Sequence, residues 1–267
     1  IHPHKVAKLM RKRGMNSVFV DWYENYLINR FTIVEIKGLI LIRKLFYGTP
    51  QGGILSPIIW NIYIDELLIR LEVATVLTNA YADDVNLVKT GFFPQLEYLK
   101  REMQKAIVIC EQWADEMGLK LSHPKTECII IRKSTRKYNT SPLLINNLPI
   151  TYVTSCKYLG LTFTSTLSWS KHIQEKIVKV RKLLHATRSS LSRSWGPSPY
   201  LIRWSYTQCI RPILTYGCFI WGKSLVGTIR GKMASLQRQA LMQCGNFRDK
   251  TPLEALNVIF GVKPIHI

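Results

Sequence analysis

Apolar positions change their period along the chain, and the changes mark out its elements. Residues 3–13 read as a helix that Gly14 is placed to stop, and residues 17–29 as a second, with Phe19, Trp22, Tyr23 and Tyr26 at helical spacing. Residues 32–36 and 39–46 alternate or run apolar around Gly38, which predicts a hairpin. Gly48-Thr49-Pro50-Gln51-Gly52-Gly53 is a glycine-rich loop, after which Ser56 is expected as the N-cap and Pro57 as the first residue of a helix reaching about Glu72. Residues 76–77 and 85–88 read as short strands on either side of Tyr81-Ala82-Asp83-Asp84. Over 94–117, Leu96, Leu99, Met103, Ala106, Cys110, Trp113 and Met117 step by three or four, and Gly118 closes that helix. A strand over 126–131 and a small hairpin over 143–150 follow, and beyond Ser168 the chain turns helical, with helices expected over 199–216 and 225–243. There is no internal repeat and no low-complexity stretch. Strands and helices alternate in no regular βαβ order, so the expected class is α+β.

Composition narrows the class. With 267 residues, 47% hydrophobic and 20% charged, the chain is long and apolar enough to bury a core, which excludes a disordered tail, a collagen-like fibre and a small disulfide scaffold. Thirty-seven Lys and Arg against 17 Asp and Glu leave a net charge of +20, which points to a polyanionic partner, nucleic acid before an acidic membrane surface. The most apolar run, 38–42, is broken by Arg43 and Lys44, far short of the roughly 20 residues of a membrane span. Neither a signal peptide nor a lipidation motif is legible. Cys110, Cys128, Cys156, Cys209, Cys218 and Cys244 lie far apart with no C-x-x-C pair, and read as buried, reduced thiols of an intracellular protein. The chain starts without an initiator Met, inside a helical pattern, and reads as part of a longer polypeptide.

The most informative chemistry is the Asp83-Asp84 pair between two apolar strands. At a hairpin turn both carboxylates can reach the tip, and holding them together costs repulsion unless a cation neutralises it. Mg²⁺ favours one or two protein carboxylates plus substrate phosphates, which suits phosphoryl or nucleotidyl transfer. The bland alternative is a solvated type I′ turn. The glycine loop, the helix after it and the basic chain around the pair favour the metal.

Those residues carry a resemblance. Tyr81-Ala82-Asp83-Asp84 resembles the catalytic signature of reverse transcriptases, and Gly48-Thr49-Pro50-Gln51-Gly52-Gly53-Ile54-Leu55-Ser56-Pro57-Ile58-Ile59-Trp60-Asn61 is similar to the preceding loop-and-helix motif in the form used by non-LTR (LINE-type) retrotransposons. Leu121-Ser122-His123-Pro124-Lys125-Thr126-Glu127 resembles the next motif. Tyr158-Leu159-Gly160, with Trp169 and His172-Ile173, resembles the primer-grip strand pair and the start of the thumb. Arg211-Pro212-Ile213-Leu214-Thr215-Tyr216-Gly217, Gln237-Arg238 and Thr251-Pro252-Leu253-Glu254-Ala255-Leu256 look like the segment that follows the thumb in these elements.

The resemblance implies a right-hand polymerase architecture: a partial palm of antiparallel sheet and packed helices over 1–165, then a helical thumb and its connection over 166–267, with the fingers and the first palm strand absent. It implies an RNA-directed DNA polymerase that adds dNTPs to a DNA primer 3′-hydroxyl on an RNA template, by a mechanism using two divalent metals, Mg²⁺ or Mn²⁺. Asp83 would be the principal metal ligand and Asp84 a secondary one. Tyr81 would lie against the primer, and Gln51, Gly52 and Gly53 would let backbone approach nucleotide and template. Lys125 would protonate or steady the leaving pyrophosphate, with a plain surface role as its alternative. Tyr158, Gly160 and the cations of a basic helix from Lys171 to Arg193 (Lys171, Lys176, Lys179 and Lys182 foremost) would contact nucleic acid, opposite an apolar face of Ile173, Ile177, Val180 and Leu184. A second basic cluster, Lys125, Arg132, Lys133, Arg136 and Lys137, would flank the same cleft. Trp195, Tyr200, Trp204, Tyr206, Tyr216, Phe219 and Trp221 are expected mostly as core, with base-stacking platforms as the alternative, and His172 and His185 as surface or phosphate contacts.

One piece is missing. A site of this kind takes a further carboxylate from an earlier strand, which in the family lies before the segment matched by Ile1-His2-Pro3-His4-Lys5-Val6. Asp21, Glu24 and Asp65 fall in helices and do not replace it. A relic that binds RNA or RNA–DNA hybrid without catalysis therefore stays open, and so does an intron-type maturase, against which the tail motifs argue. The family implies action in nucleus and cytoplasm, and leaves oligomeric state undetermined.

Overall fold

Pro3 opens helix α1 (Pro3–Lys12), which buries Val6, Leu9 and Met10 along one stripe and leaves Lys8, Arg11 and Lys12 outside. Asn16 caps α2 (Ser17–Ile28): its side chain accepts from the Val18 and Phe19 amides at 2.9 and 3.4 Å. The computed structural model describes residues 1–133, 140–189, 196–225, 227–245 and 247–265, and of Phe93 the backbone alone. The chain divides into two compact units, Ile1–Glu127 with Lys137–Thr151, and Cys128–Arg136 with Tyr152–Ile267.

In the first unit, Val20, Tyr23 and Leu27 of α2 share a core with Ile59, Tyr63, Leu67 and Leu71 of α3 (Ser56–Glu72) and with Ala106, Cys110, Trp113 and Met117 of α4 (Leu96–Met117). Gly118, at φ +70°, caps α4 in the left-handed conformation expected of it. Strands β1 (Arg30–Ile36) and β2 (Leu39–Leu45) pair antiparallel around a turn in which Lys37 and Gly38 both take positive φ. Strands β3 (Leu77–Tyr81) and β4 (Asp84–Val88) form a second hairpin, and β6 (Leu144–Ile145) with β7 (Leu148–Pro149) a third. Gln104 of α4 stands in for a neighbouring strand of this last hairpin. Its amide donates to the Leu144 carbonyl at 2.9 Å and its oxygen accepts from the Leu144 amide at 2.8 Å. The strand expected over 126–131 shrinks to β5 (Glu127–Cys128), preceded by a 3₁₀ turn over His123–Lys125.

After β8 (Thr151–Tyr152), β9 (Ser155–Tyr158) and β10 (Leu161–Thr164) of the second unit form a hairpin followed by α5 (Ser170–Ser189). The apolar stripe of α5 behaves as expected: Ile173, Ile177, Val180 and Leu184 are buried with Leu161, Leu214, Trp221, Met233 and Leu241. The helix expected over 199–216 is three segments, α6 (Pro199–Ser205), a π-turn over Tyr206–Ile210 and α7 (Arg211–Thr215). Pro212 has no N–H to extend a regular ladder, and the Arg211 amide reaches back five residues to the Tyr206 carbonyl. Helices α8 (Cys218–Trp221), α9 (Gly227–Met242) and α10 (Leu253–Phe260) complete the unit. The tail motifs tie its end down. Gln237, fully buried, donates to Asn257 Oδ1 at 2.7 Å and the Lys263 carbonyl at 3.0 Å, while Arg211 donates to the Lys263 carbonyl at 2.6 Å.

Two expectations about burial need correction. Of the described aromatics named for the core, Tyr206 and Trp221 are buried, whereas Tyr200, Trp204, Tyr216 and Phe219 are exposed; Trp195 lies outside the described residues. Cys110 and Cys244 are buried and no disulfide forms among the cysteines, but Cys209 and Cys218 are exposed. Burial pushes the Cys110 thiol up to about 12 and those of Cys128 and Cys244 to about 11, so these three are poor nucleophiles near neutrality.

Candidate active site

The glycine loop is closed on itself. The Gly53 amide donates to the Pro50 carbonyl at 3.2 Å, and the Ser56 amide to the Gly53 carbonyl at 3.0 Å. Ser56 is the first helical residue and not the cap foreseen for it. Leu55 occupies the cap position, and the Ser56 hydroxyl donates instead to the Pro50 carbonyl at 2.8 Å. That contact explains Gly53, because a Cβ there would lie 2.8 Å from Ser56 Oγ and 3.2 Å from the Pro50 oxygen. Gly52 needs its freedom for another reason, a φ of +80°. Gln51 stands exposed at the tip. Arg30 holds the other end of the loop, donating to the Gly48 carbonyl at 2.6 Å.

From this loop α3 runs past the acidic turn. Tyr63 is fully buried, donates its hydroxyl to the Met117 carbonyl and stacks with Trp60, ring centroids 6.1 Å apart. The Trp60 indole N–H in turn donates to the carbonyl of Ala82. Ala82 and Asp83 are the two central residues of the β3–β4 hairpin, and Tyr81 pairs directly with Asp84. Ala82 takes φ +52° and Asp83 does not share the positive region, so the turn is not the type I′ of the bland alternative. A left-handed alanine costs about 1–2 kcal/mol. Tyr81, Asp83 and Asp84 are all exposed.

The ion pairs among the described residues lie elsewhere, so no cation among those residues neutralises either carboxylate of the turn. Two adjacent, open, unpaired carboxylates fit a divalent cation as hard oxygen donors. Among the described residues no cluster of three or more His, Cys, Asp or Glu forms. Asp21 and Glu24 are taken by Arg11 at 2.6 and 2.9 Å and Asp65 by Arg13 at 2.5 Å, which agrees with setting these three aside as ligands. Lys125 is exposed at the end of its 3₁₀ turn.

In the second unit Tyr158 is half-buried and Gly160 exposed beside it, at the tip of the β9–β10 hairpin. The lysines of α5 divide. Lys179 and Lys182 stand exposed on the outer face of the helix, Lys171 donates to Ser155 Oγ, and the Lys176 ammonium lies 5.3 Å from the centre of the Tyr216 ring. Burial, then Lys179 and Lys157, hold the Lys176 amine below its ordinary range. Arg136, Lys137 and Arg193 lie outside the described residues.

His172 corrects an expectation. It is fully buried, not a surface contact, whereas His185 is exposed. Thr162 occupies a non-hydrogen-bonded position of the β9–β10 ladder, so its amide is available, and it donates to His172 Nδ1 at 3.2 Å. Nε2 has no partner. Burial, then Lys176, depress the imidazole below its ordinary range. Trp60 and Tyr216 hold hairpin carbonyls, Ala82 and Leu159, that sequence reasoning did not pair with them. Each was visible as an aromatic inside a motif, but nothing local reveals which carbonyl it holds.

The profile of the reverse transcriptase (RNA-dependent DNA polymerase) family matches residues 2–163. The chain is 31% identical over 262 residues to a 115 kDa protein of the type-1 retrotransposable element R1DM of Drosophila melanogaster, covering 98% of this chain and 25% of that protein. It is 28% identical over 223 residues to the retrovirus-related Pol polyprotein of type-1 retrotransposable element R1 of Nasonia vitripennis, covering 81% of this chain and 65% of that one. A further relative, 23% identical over 232 residues, is the RNA-directed DNA polymerase from mobile element jockey of Drosophila melanogaster, with 81% of this chain and 24% of that protein covered.

Proposed function

The chain belongs to the reverse transcriptase (RNA-dependent DNA polymerase) family, and from that premise we propose that it provides the palm, over 1–165, and the thumb, over 166–267, of a non-LTR retrotransposon polymerase copying RNA into DNA. The observation that carries this reading is the β3–β4 turn, where Trp60 donates to the backbone and two exposed carboxylates stand without a counter-ion among the described residues. Asp83 and Asp84 would hold the divalent metals, Mg²⁺ or Mn²⁺, one of which would acidify the primer 3′-hydroxyl while the other would neutralise charge at the leaving pyrophosphate. Tyr81 lies along the primer, and the Gln51-Gly52-Gly53 backbone faces the nucleotide and template base. Lys125 steadies or protonates the departing pyrophosphate. Tyr158 and Gly160 grip the primer, and Lys171, Lys179 and Lys182 lie along the phosphates of the RNA–DNA duplex, a contact independent of sequence and weakened by salt. No helix among the described residues is long and apolar enough to cross a membrane.

Primer extension on an RNA template with dNTPs and Mg²⁺ tests this. Asp83→Ala should lower the rate on the order of 10³-fold, the equivalent of several kcal/mol, with hybrid affinity within twofold. A second reading, a hybrid-binding protein without chemistry, has in its favour that the described residues bring no third carboxylate to the turn. It predicts no extension from the unsubstituted chain, and salt-sensitive hybrid binding indifferent to Asp83→Ala.

A further inference from the structure

The Tyr216-Gly217 pair, from the segment after the thumb helix, is left without a role by the polymerase reading, yet both residues press on one hairpin. Leu159 and Gly160 form the two-residue turn between β9 and β10, at φ +46° and +77°, the signature of type I′. Glycine adopts that geometry freely and leucine does not. The Tyr216 hydroxyl donates to the Leu159 carbonyl at 2.8 Å. Its ring lies so close that a Cβ on Gly160 would sit 3.1 Å from Cε1, and a Cβ on Gly217 would sit 2.7 Å from Leu161 Cδ2. Tyr216 is itself anchored, because the buried Trp221 indole donates to its carbonyl at 3.0 Å. With the ring 51% exposed, core packing is not its main work. Around it, Lys176 covers the ring and Lys157 flanks the hairpin, a cationic surface on which a polyanion would relieve repulsion.

We propose that Tyr216 is a positioning residue: it latches the Leu159-Gly160 turn in the strained conformation that carries the primer strand of an RNA–DNA hybrid. The proposal rests on the polymerase reading, and its test separates the two. Fluorescence anisotropy with a recessed RNA–DNA primer–template compares the unsubstituted chain, Tyr216→Phe, Leu159→Asn and the double variant. Tyr216→Phe keeps the ring and should weaken binding about fivefold, as expected for one hydrogen bond of about 1 kcal/mol. Leu159→Asn makes the turn Asn-Gly, which takes both positive φ values unaided. In that background the same substitution should cost less than 1.5-fold, and amide exchange of Leu161 should rise for Tyr216→Phe alone. An equal loss in both backgrounds, no loss in either, or unchanged exchange overturns the latch. A chain that binds no hybrid in any form overturns the polymerase reading and the positioning role with it, while the exchange still shows whether the latch exists.

Discussion

The acidic turn of the first unit and the grip turn of the second are built alike. Each is a two-residue hairpin with a non-glycine residue at positive φ, Ala82 or Leu159, and in each an aromatic donor from a distant part of the chain, Trp60 of α3 or Tyr216 just after α7, holds the carbonyl of that residue. The β6–β7 turn differs. Asn146 and Asn147 take φ +49° and +60°, the Asn146 amide is held by Glu111, and no side-chain donor reaches either carbonyl among the described residues. Asparagine tolerates the left-handed region through its own local hydrogen bonds, so that turn forms from its sequence. Alanine and leucine lack that local compensation, and in their turns an aromatic side chain donates to the carbonyl. Strain held in this way marks the places where geometry has been fixed for use.

The largest effect should come from unlocking the acidic turn. Trp60→Phe keeps the ring stacked on Tyr63 and removes the N–H that holds Ala82. Because a shift of about 1 Å in a catalytic group can cost roughly 10²-fold, the extension rate should fall 10- to 100-fold while hybrid affinity changes less than twofold. Ala82→Gly, which removes the left-handed penalty, should restore part of the rate in the Trp60→Phe background. A Trp60→Phe chain that extends primers at the unsubstituted rate would show that the turn holds itself.

This contrast also explains what could be read from the sequence. Helices α1, α2, α4 and α5 were legible because each must bury one stripe, and a stripe repeats every three or four residues. The turns at Gly38 and Gly118 were legible because glycine answers a local backbone demand. The carboxylate pair was legible by chemical oddity, since two adjacent acids between apolar strands are costly without a cation. What escaped depends on partners far along the chain. Trp60 and Ala82 are 22 positions apart, Tyr216 and Leu159 are 57. Ser56 was misread because its hydroxyl could either accept from the first amides of the helix or donate to the Pro50 carbonyl, and only the folded loop chooses. His172 sits beside the buried stripe of α5, and the β9–β10 hairpin covers it. The apolar run at 128–131 resembles a strand, but Ile131 is exposed and pairing stops at Cys128.

Acid should separate the two turns. No titratable side chain holds the Ala82 carbonyl, whereas the grip hairpin is also held by neutral His172 accepting from the Thr162 amide. Protonation would place two donors face to face beside Lys176 and Lys157, with Glu175, bonded to Thr162 Oγ1 at 2.8 Å, as the nearby acid. The folded imidazole titrates below its ordinary range, so the unfolded chain binds the proton first as pH falls through about 6.5. Stability should then decline, with a limiting slope of about 1.4 kcal/mol per pH unit, until the folded histidine also protonates. Urea unfolding at pH 7.5 and 5.5 reads this, and His172→Gln should flatten the difference. An equal pH dependence in both chains would remove His172 from the account.

The smallest effect should fall on the turn that needs no latch. Asn146→Ala places at φ +49° a residue with no local compensation, and should cost the first unit about 1 kcal/mol in urea unfolding. Asn146→Gly should cost little or nothing. Neither should change extension rate or hybrid affinity, because the hairpin's contact with the 3₁₀ turn that carries Lys125, from His123 Nε2 to the Pro149 carbonyl at 3.0 Å, lies outside the Asn146-Asn147 turn. Ala82 already carries the same penalty as Asn146→Ala, in a turn where an indole offsets it. If Asn146→Ala slowed extension as Trp60→Phe is expected to, then a left-handed residue without local support would be harmful wherever it lies, and strain at Ala82 would say nothing about function. If it lowers stability alone, what distinguishes the acidic turn is the aromatic donor, and the value of that donor lies in where it aims the carboxylates.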